Sequence, residues 1–250
     1  INAMLRPLSL KLVTRRTPNR NFKEFFEHLA GLGVRMKTVI DVSVGNGTET
    51  LYAANPGARF VLVEPVPDTR GTVAAIARRL DAKFFNVAAG ARDGEIDFHL
   101  HDDITGSSMY RQLEGGALDG TLVKVPVRRL DDIIGHEVTR PCLLKIDTQG
   151  AEVDVIDGAR QLLRSVDIAI IEVSFHQFRE GAVEMHEVVQ AMVAAGFRCY
   201  EVLEGHYRSV DNALAQVDLV FVPEQSALRS VKTFFSQQQV DAYLKSGTLR

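Results

Sequence analysis

From residue 38 onward the chain alternates short apolar runs with stretches of helical period. The runs fall at 38–44, 59–64, 84–89, 142–146, 168–174, 198–203 and 217–222. Several are continuous rather than alternating, the pattern of strands buried on both faces of a parallel sheet. Helical stretches at about 48–54, 69–80, 152–163 and 183–195 separate them, and Gly196 closes the last. This repeated βα order predicts a doubly wound α/β sheet.

The order breaks between residues 96 and 128. There Ile96 to His101 and Leu122 to Val127 alternate apolar and polar residues around a loop holding Gly106, Gly115, Gly116 and Gly120. Such alternation predicts a β-rich insertion with one wet face. Upstream, Asn21 and Glu24 form a capping-box start for a helix over 22–31 whose Phe22, Phe25, Phe26 and Leu29 make one stripe. Leu8, Leu10 and Leu12 alternate as in a short edge strand. The chain thus divides into an arm and helix (1–37), a main domain (38–223) and a helical tail (224–250) with Val231, Phe234 and Phe235 available to pack. Ile1-Asn2-Ala3 before Met4 reads as an expression remnant and is set aside.

Composition narrows the classes. A chain of 250 residues with 46% hydrophobic content fills one large core. A net charge of -3 provides no field for nucleic acid or anionic lipid, and the cluster of Arg15, Arg16 and Arg20 is local. No run reaches the about 18 to 20 apolar residues of a membrane span. Cys142 and Cys199 both fall in apolar runs, as core thiols rather than a disulfide. A cytoplasmic location is expected; oligomeric state is left open, a homo-oligomer included.

The chemistry gathers at strand ends. Val39-Ile40-Asp41-Val42-Ser43-Val44-Gly45-Asn46-Gly47-Thr48 reads as a buried strand, a glycine turn and a helix start, and the next strand ends on Glu64. This is the layout of a nucleotide-type cofactor site, whose acid accepts ribose hydroxyls. A dinucleotide turn needs a third glycine, and Thr50 stands there, with Ser43 at the first. That weakens a nicotinamide or flavin reading and favours S-adenosylmethionine, which has no pyrophosphate to hold. A second strand, Leu143 to Ile146, exposes Lys145 and Asp147 on one face before turning at Gly150. Lys145 reads equally well as a structural ion pair, whereas Asp147 lies where substrate and cofactor would meet. A third runs through Ile170 and Ile171 to Glu172 and His176, an imidazole suited to take a proton near neutral pH or, as often, a plain loop residue. His99 and His101 with Asp102 and Asp103, or Asp147, Glu152 and Glu172, contain metal-ligand types, but no spacing demands an ion and no metal is expected.

Taken together, Asp41 to Gly47, Val63-Glu64-Pro65, Asn86 to Gly90, Val125 to Asp131 and Leu144-Lys145-Ile146-Asp147-Thr148-Gln149-Gly150-Ala151-Glu152 resemble the FkbM family of S-adenosylmethionine-dependent methyltransferases over residues 38 to 200. The resemblance implies a class I methyltransferase, a Rossmann-like three-layer sandwich with a mostly parallel seven-stranded sheet and an antiparallel last strand. It also implies that Asp41, Ser43, Gly45 and Gly47 lie along the methionine part of the cofactor, that Glu64 holds its ribose, and that Asn86 and Val87 approach the adenine. The family is associated with O-methylation of hydroxyls on natural products or sugars. At Ser43 the family usually has glycine, and a Cβ there crowds the methionyl carboxylate.

The expected activity is therefore methyl transfer to a hydroxyl of a small molecule, sugar or natural product. The candidate bases, in order, are His176, Asp147 and Glu172, with Asp147 also on the cofactor side. Residues 96–121, with Ser107 and Ser108, are expected to contribute to an acceptor pocket or lid. The rivals are an NAD(P)-dependent oxidoreductase and a non-catalytic relative that binds a cofactor or a partner.

Overall fold

A computed structural model describes residues 20–66, 71–101, 106–135 and 138–246. The Leu8–Leu12 alternation, Arg15, Arg16, Asp102 and Asp103 lie outside the described residues. The capping box at Asn21 forms as expected and starts α1 (Phe22–Gly31), whose four apolar side chains are buried. There follow β1 (Thr38–Val42), α2 (Glu49–Ala54), β2 (Arg59–Val63), α3 (Thr72–Leu80), β3 (Lys83–Phe85), β4 (Ala88–Ala89), β5 (Gly94–Leu100), β6 (Thr121–Arg128), α4 (Leu130–Ile133) and β7 (Cys142–Ile146). The remainder is α5 (Glu152–Asp157), β8 (Ile168–Ser174), α6 (Met185–Ala194), β9 (Phe197–Tyr207), β10 (Leu214–Pro223) and α7 (Gln237–Ser246).

Seven strands pair in the order β3-β2-β1-β7-β8-β10-β9. The pairs from β3 to β8 are parallel, and β10, last in the chain, runs antiparallel to β8 and β9. Alternate residues of each strand feed opposite faces, so two cores form. One joins Val39, Leu143, Ile170 and Val220 to α1, α2 and α3. The other joins Ile40, Leu144, Ile171 and Phe221 to α4, α5 and α6. The result is a Rossmann-like three-layer sandwich with the sheet that the resemblance implied.

Several boundaries differ from the sequence pattern, each with a local cause. The run 84–89 splits, because Asn86 turns its side-chain amide onto the carbonyls of Glu64 and Val66 (2.7 and 3.1 Å). Its second half, β4, joins β6 and β5 in a separate three-stranded sheet, the β-rich insertion. The helix over 152–163 also breaks. Asp131 accepts the amides of Gln161 and Leu162 (3.0 and 2.8 Å) and starts a fresh 3-10 turn, Leu162–Ser165. Cys142 is buried as expected, but Cys199 is exposed, since β9 is an edge strand. In the tail, Val231 and Phe234 stay in solvent, because both sheet faces are already covered.

The break at Gly158 makes a close approach. A Cβ there would stand 2.0 Å from the carbonyl oxygen of Gly90, a backbone atom with little freedom to retreat. Gly158→Ala should destabilise the fold by about 3 kcal/mol, read as a lower urea midpoint with an unchanged slope.

Candidate active site

A cavity of about 500 Å³ opens at the carboxyl ends of β1, β2, β7 and β8, where ligands sit in open α/β sheets. One wall is the turn Ser43 to Thr48 with Glu64 and Val66; another is Asp147, Gln149, Glu172, Gln216 and His206; Phe98, Gly106 and Ser107 of the insertion complete it. Ser43, Gly45, Gly47, Glu64, Asp147 and Glu172, singled out from the sequence, thus line one cavity.

Glu64 is nearly buried and fixed at both oxygens. Oε2 accepts the amide of Gly45 and Oε1 that of Val66, each at 2.8 Å. Burial pushes its pKa up, and these two amides act the other way. Ser43 adopts φ 63°, a left-handed conformation that suits glycine. Its amide donates to Val63 at 2.8 Å, so the turn leaves β1 while tied to β2.

Beneath the second wall runs a row of ionisable groups across four adjacent strands, on the α1 side of the sheet. Asp41 pairs in register with Lys145, and Glu172 with Asp218. The Lys145 ammonium is buried and donates to Asp147 Oδ2 at 2.9 Å. Burial alone would discharge it, but Asp147, Asp41 and Asp218 outweigh burial and hold its pKa above the ordinary lysine value. Burial likewise acts to raise Asp147, and the lysine overrides it, leaving this carboxyl below its usual range.

Glu172 goes the other way. Burial, then the charges of Asp147 and Asp218, push it up to about 9. Its Oε2 accepts the side-chain amides of Gln149 and Gln216, each at 2.7 Å, which leaves Oε1 to carry the proton. Gln149 also donates to Asp147 Oδ1 at 2.9 Å. It does so from φ 56°, backbone strain spent on spanning the two acids. The cavity wall therefore presents an ionised carboxylate beside a protonated one.

Other predicted residues stand elsewhere. Asp41 is wholly buried behind the turn, where Oδ2 accepts the Tyr52 hydroxyl at 2.6 Å and Oδ1 has no partner. Its place in β1, between two parallel neighbours, keeps it off the cavity wall. Asn86 secures the Glu64–Val66 segment from behind, and Val87 packs into the core below α5. His176 lies beyond β8 with its ring against Phe178 and on the side of Asp211, an acid held below its usual pKa chiefly by Arg208; it is not part of the cavity wall, where His206 is found instead. Among the described residues no cluster of His, Cys, Asp or Glu has the arrangement of a metal site, and no helix is long and apolar enough to cross a membrane.

The family model described as "Methyltransferase FkbM domain" matches residues 41–199, more than half of the chain. The chain belongs to the FkbM methyltransferase family. Among curated proteins, the "2-O-methyltransferase NoeI" of Sinorhizobium fredii is 25% identical over 194 residues, covering 71% of this chain and 79% of that one. Among solved structures, the N-methyltransferase NodS of Bradyrhizobium japonicum has a TM-score of 0.46 at 9% identity, over 81% of this chain and 94% of that one. The 1,6-didemethyltoxoflavin-N1-methyltransferase of Burkholderia thailandensis has a TM-score of 0.43 at 15% identity, over 81% and 76%.

An FkbM methyltransferase uses S-adenosylmethionine, and the cavity has the chemistry to take it. Each Glu64 oxygen spends one lone pair on a backbone amide and retains another, the pair of acceptors that two ribose hydroxyls require. Val66 and Phe98 beside it offer an apolar surface.

The raised acids give the site a pH signature. Glu172 rises from 4.5 to about 9 and Asp218 from 3.8 to about 7. Their protons are bound more tightly in the folded than in the unfolded chain, so the stability they contribute is complete below pH 4 and is lost as pH rises through 7 to 9. Urea denaturation at pH 5 and pH 9 should show the wild type weakening over that interval, and Glu172→Gln weakening distinctly less.

Proposed function

We propose that this methyltransferase acts on a hydroxyl oxygen of a small hydroxylated acceptor, a sugar or natural product among them. The observation that carries the reading is the ionised Asp147 held beside the protonated Glu172 on the cavity that also contains Glu64. A relative named as a 2-O-methyltransferase supports the same direction.

S-adenosylmethionine, when bound, supplies a methyl group already activated on a sulfonium, so the protein's tasks are alignment and proton removal. Glu64 and the Ser43–Gly47 turn would hold the cofactor. Asp147 would accept the hydrogen bond of the acceptor hydroxyl and then its proton. A carboxylate of low pKa suffices, because an oxygen gaining a methyl while still protonated is strongly acidic. Lys145 keeps Asp147 ionised, and Glu172 with Gln149 fixes its orientation. His176 stands off the cavity wall, so proton removal passes from it to Asp147. The protonated Glu172 is a donor at neutral pH, and Asp147 is the acceptor beside it.

The test is release of S-adenosylhomocysteine with a panel of sugars and other hydroxylated acceptors. Asp147→Asn should lower turnover by at least about 100-fold while S-adenosylhomocysteine still raises its melting temperature, and His176→Ala should retain turnover. Turnover preserved in Asp147→Asn would remove the base assignment. Stabilisation by NAD but not by S-adenosylhomocysteine would transfer the site to oxidoreductase chemistry.

A further inference from the structure

One buried cation near the cavity has no counter-ion among the described residues. Arg179 lies on the loop leaving β8 and is 7% exposed. Among the described residues its side chain makes one hydrogen bond, from Nη2 to the carbonyl of Gly106 at 3.2 Å. Its Nε is buried without a partner, and it forms no ion pair among the described residues. Surface arginines are provided for in the opposite way: Arg140 and Arg79, largely in solvent, each sit on a carboxylate. A guanidinium has five donors and does not give up its charge, so burial with one neutral acceptor leaves it poorly compensated. Burial lowers its pKa below the usual value even though Glu152, Glu172, Asp147 and Glu114 act against that.

The placement is not loose. The backbone of Arg179 bridges to Gln112 of the insertion, and on either side Leu113 donates to Phe178 (3.2 Å) and Glu180 to Arg111 (2.9 Å). Two segments are thereby stitched together around the guanidinium. The one carbonyl it holds, that of Gly106, belongs to the cavity wall. Of the carboxyls close enough to act on it, Asp147 and Glu172 lie on the same cavity wall.

We propose that Arg179 is a specificity residue that receives an anionic group, a carboxylate, phosphate or sulfate, carried by the acceptor. This deepens the methyl-transfer reading and rests on it for the word acceptor. The planar fork of an arginine matches the paired oxygens of such groups, and their charge would supply the compensation that the protein withholds. A neutral acceptor would leave the buried cation as it is.

The experiment is thermal denaturation of the full chain in phosphate, sulfate or acetate against chloride at equal ionic strength. At about 10 mM, at least one of the three anions should raise the wild-type melting temperature by about 3 °C. Arg179→Met should lose that rise, and Arg179→Lys, which keeps the charge without the fork, should show a smaller one. A response to phosphate and sulfate alone assigns a tetrahedral oxyanion, and a response to acetate alone assigns a carboxylate; either supports the proposal. No rise in the wild type with any of the three overturns it, whether or not the variants fold, and so does a rise that persists undiminished in Arg179→Met. S-adenosylhomocysteine, added in parallel, should stabilise both chains. If it stabilises neither, the methyl-transfer reading fails separately, and the assignment to the acceptor falls with it.

Discussion

A single buried ammonium organises this site. Lys145 sits in the middle of the sheet with acids to either side, Asp41 on β1, Asp147 at its own strand end, and Glu172 and Asp218 further across. One cation cannot neutralise four carboxylates in a medium of low polarity. The charge settles on the nearest acid, Asp147, and the more distant Glu172 keeps its proton. Two adjacent carboxyls thus take opposite roles from position alone, as pairs of active-site acids do when their surroundings push their pKa values apart. Taking one partner from such a buried pair costs about 3 to 5 kcal/mol, so the sheet and the chemistry depend on the same contact.

The amides extend that arrangement outward. Gln149 and Gln216 each spend a donor on Glu172, and Gln149 accepts left-handed backbone strain to reach Asp147 as well. The insertion is tied to the same loop, since the Ser108 hydroxyl donates to the carbonyl of Gln149 at 2.9 Å. The wall that includes Phe98 and Ser107 is therefore coupled to the segment that fixes the acids. Two hydrogen bonds, through Ser108 and Gln149, thus link that wall to Asp147.

Much of this was legible in the sequence because burial and strand period leave plain marks. Continuous apolar runs located the core strands, and the acid ending β2 and the Lys145–Glu152 segment located the cavity. What was hidden depends on pairing across the sheet. Gln216 and Asp218 alternate within an otherwise apolar strand, a signal available in the sequence, but only the antiparallel register of β10 against β8 brings them to Glu172. Asp41 looked like a cofactor ligand by its position before the turn, whereas its neighbours across two strands enclose it. His176 looked like a base by residue type; a loop that turns it toward Phe178 and Asp211 could not be read from spacing. Arg179 has no motif, and its interest arises only from burial with a single carbonyl partner and an unpaired Nε among the described residues.

Where the cofactor product sits decides the role of this cavity. A crystal structure with S-adenosylhomocysteine should place both ribose hydroxyls on the free lone pairs of Glu64 and the thioether sulfur facing the Asp147–Glu172 pair, with Asp41 still bonded to Tyr52 behind the turn. Density for the product away from Glu64, or a sulfur turned from Asp147, would contradict it.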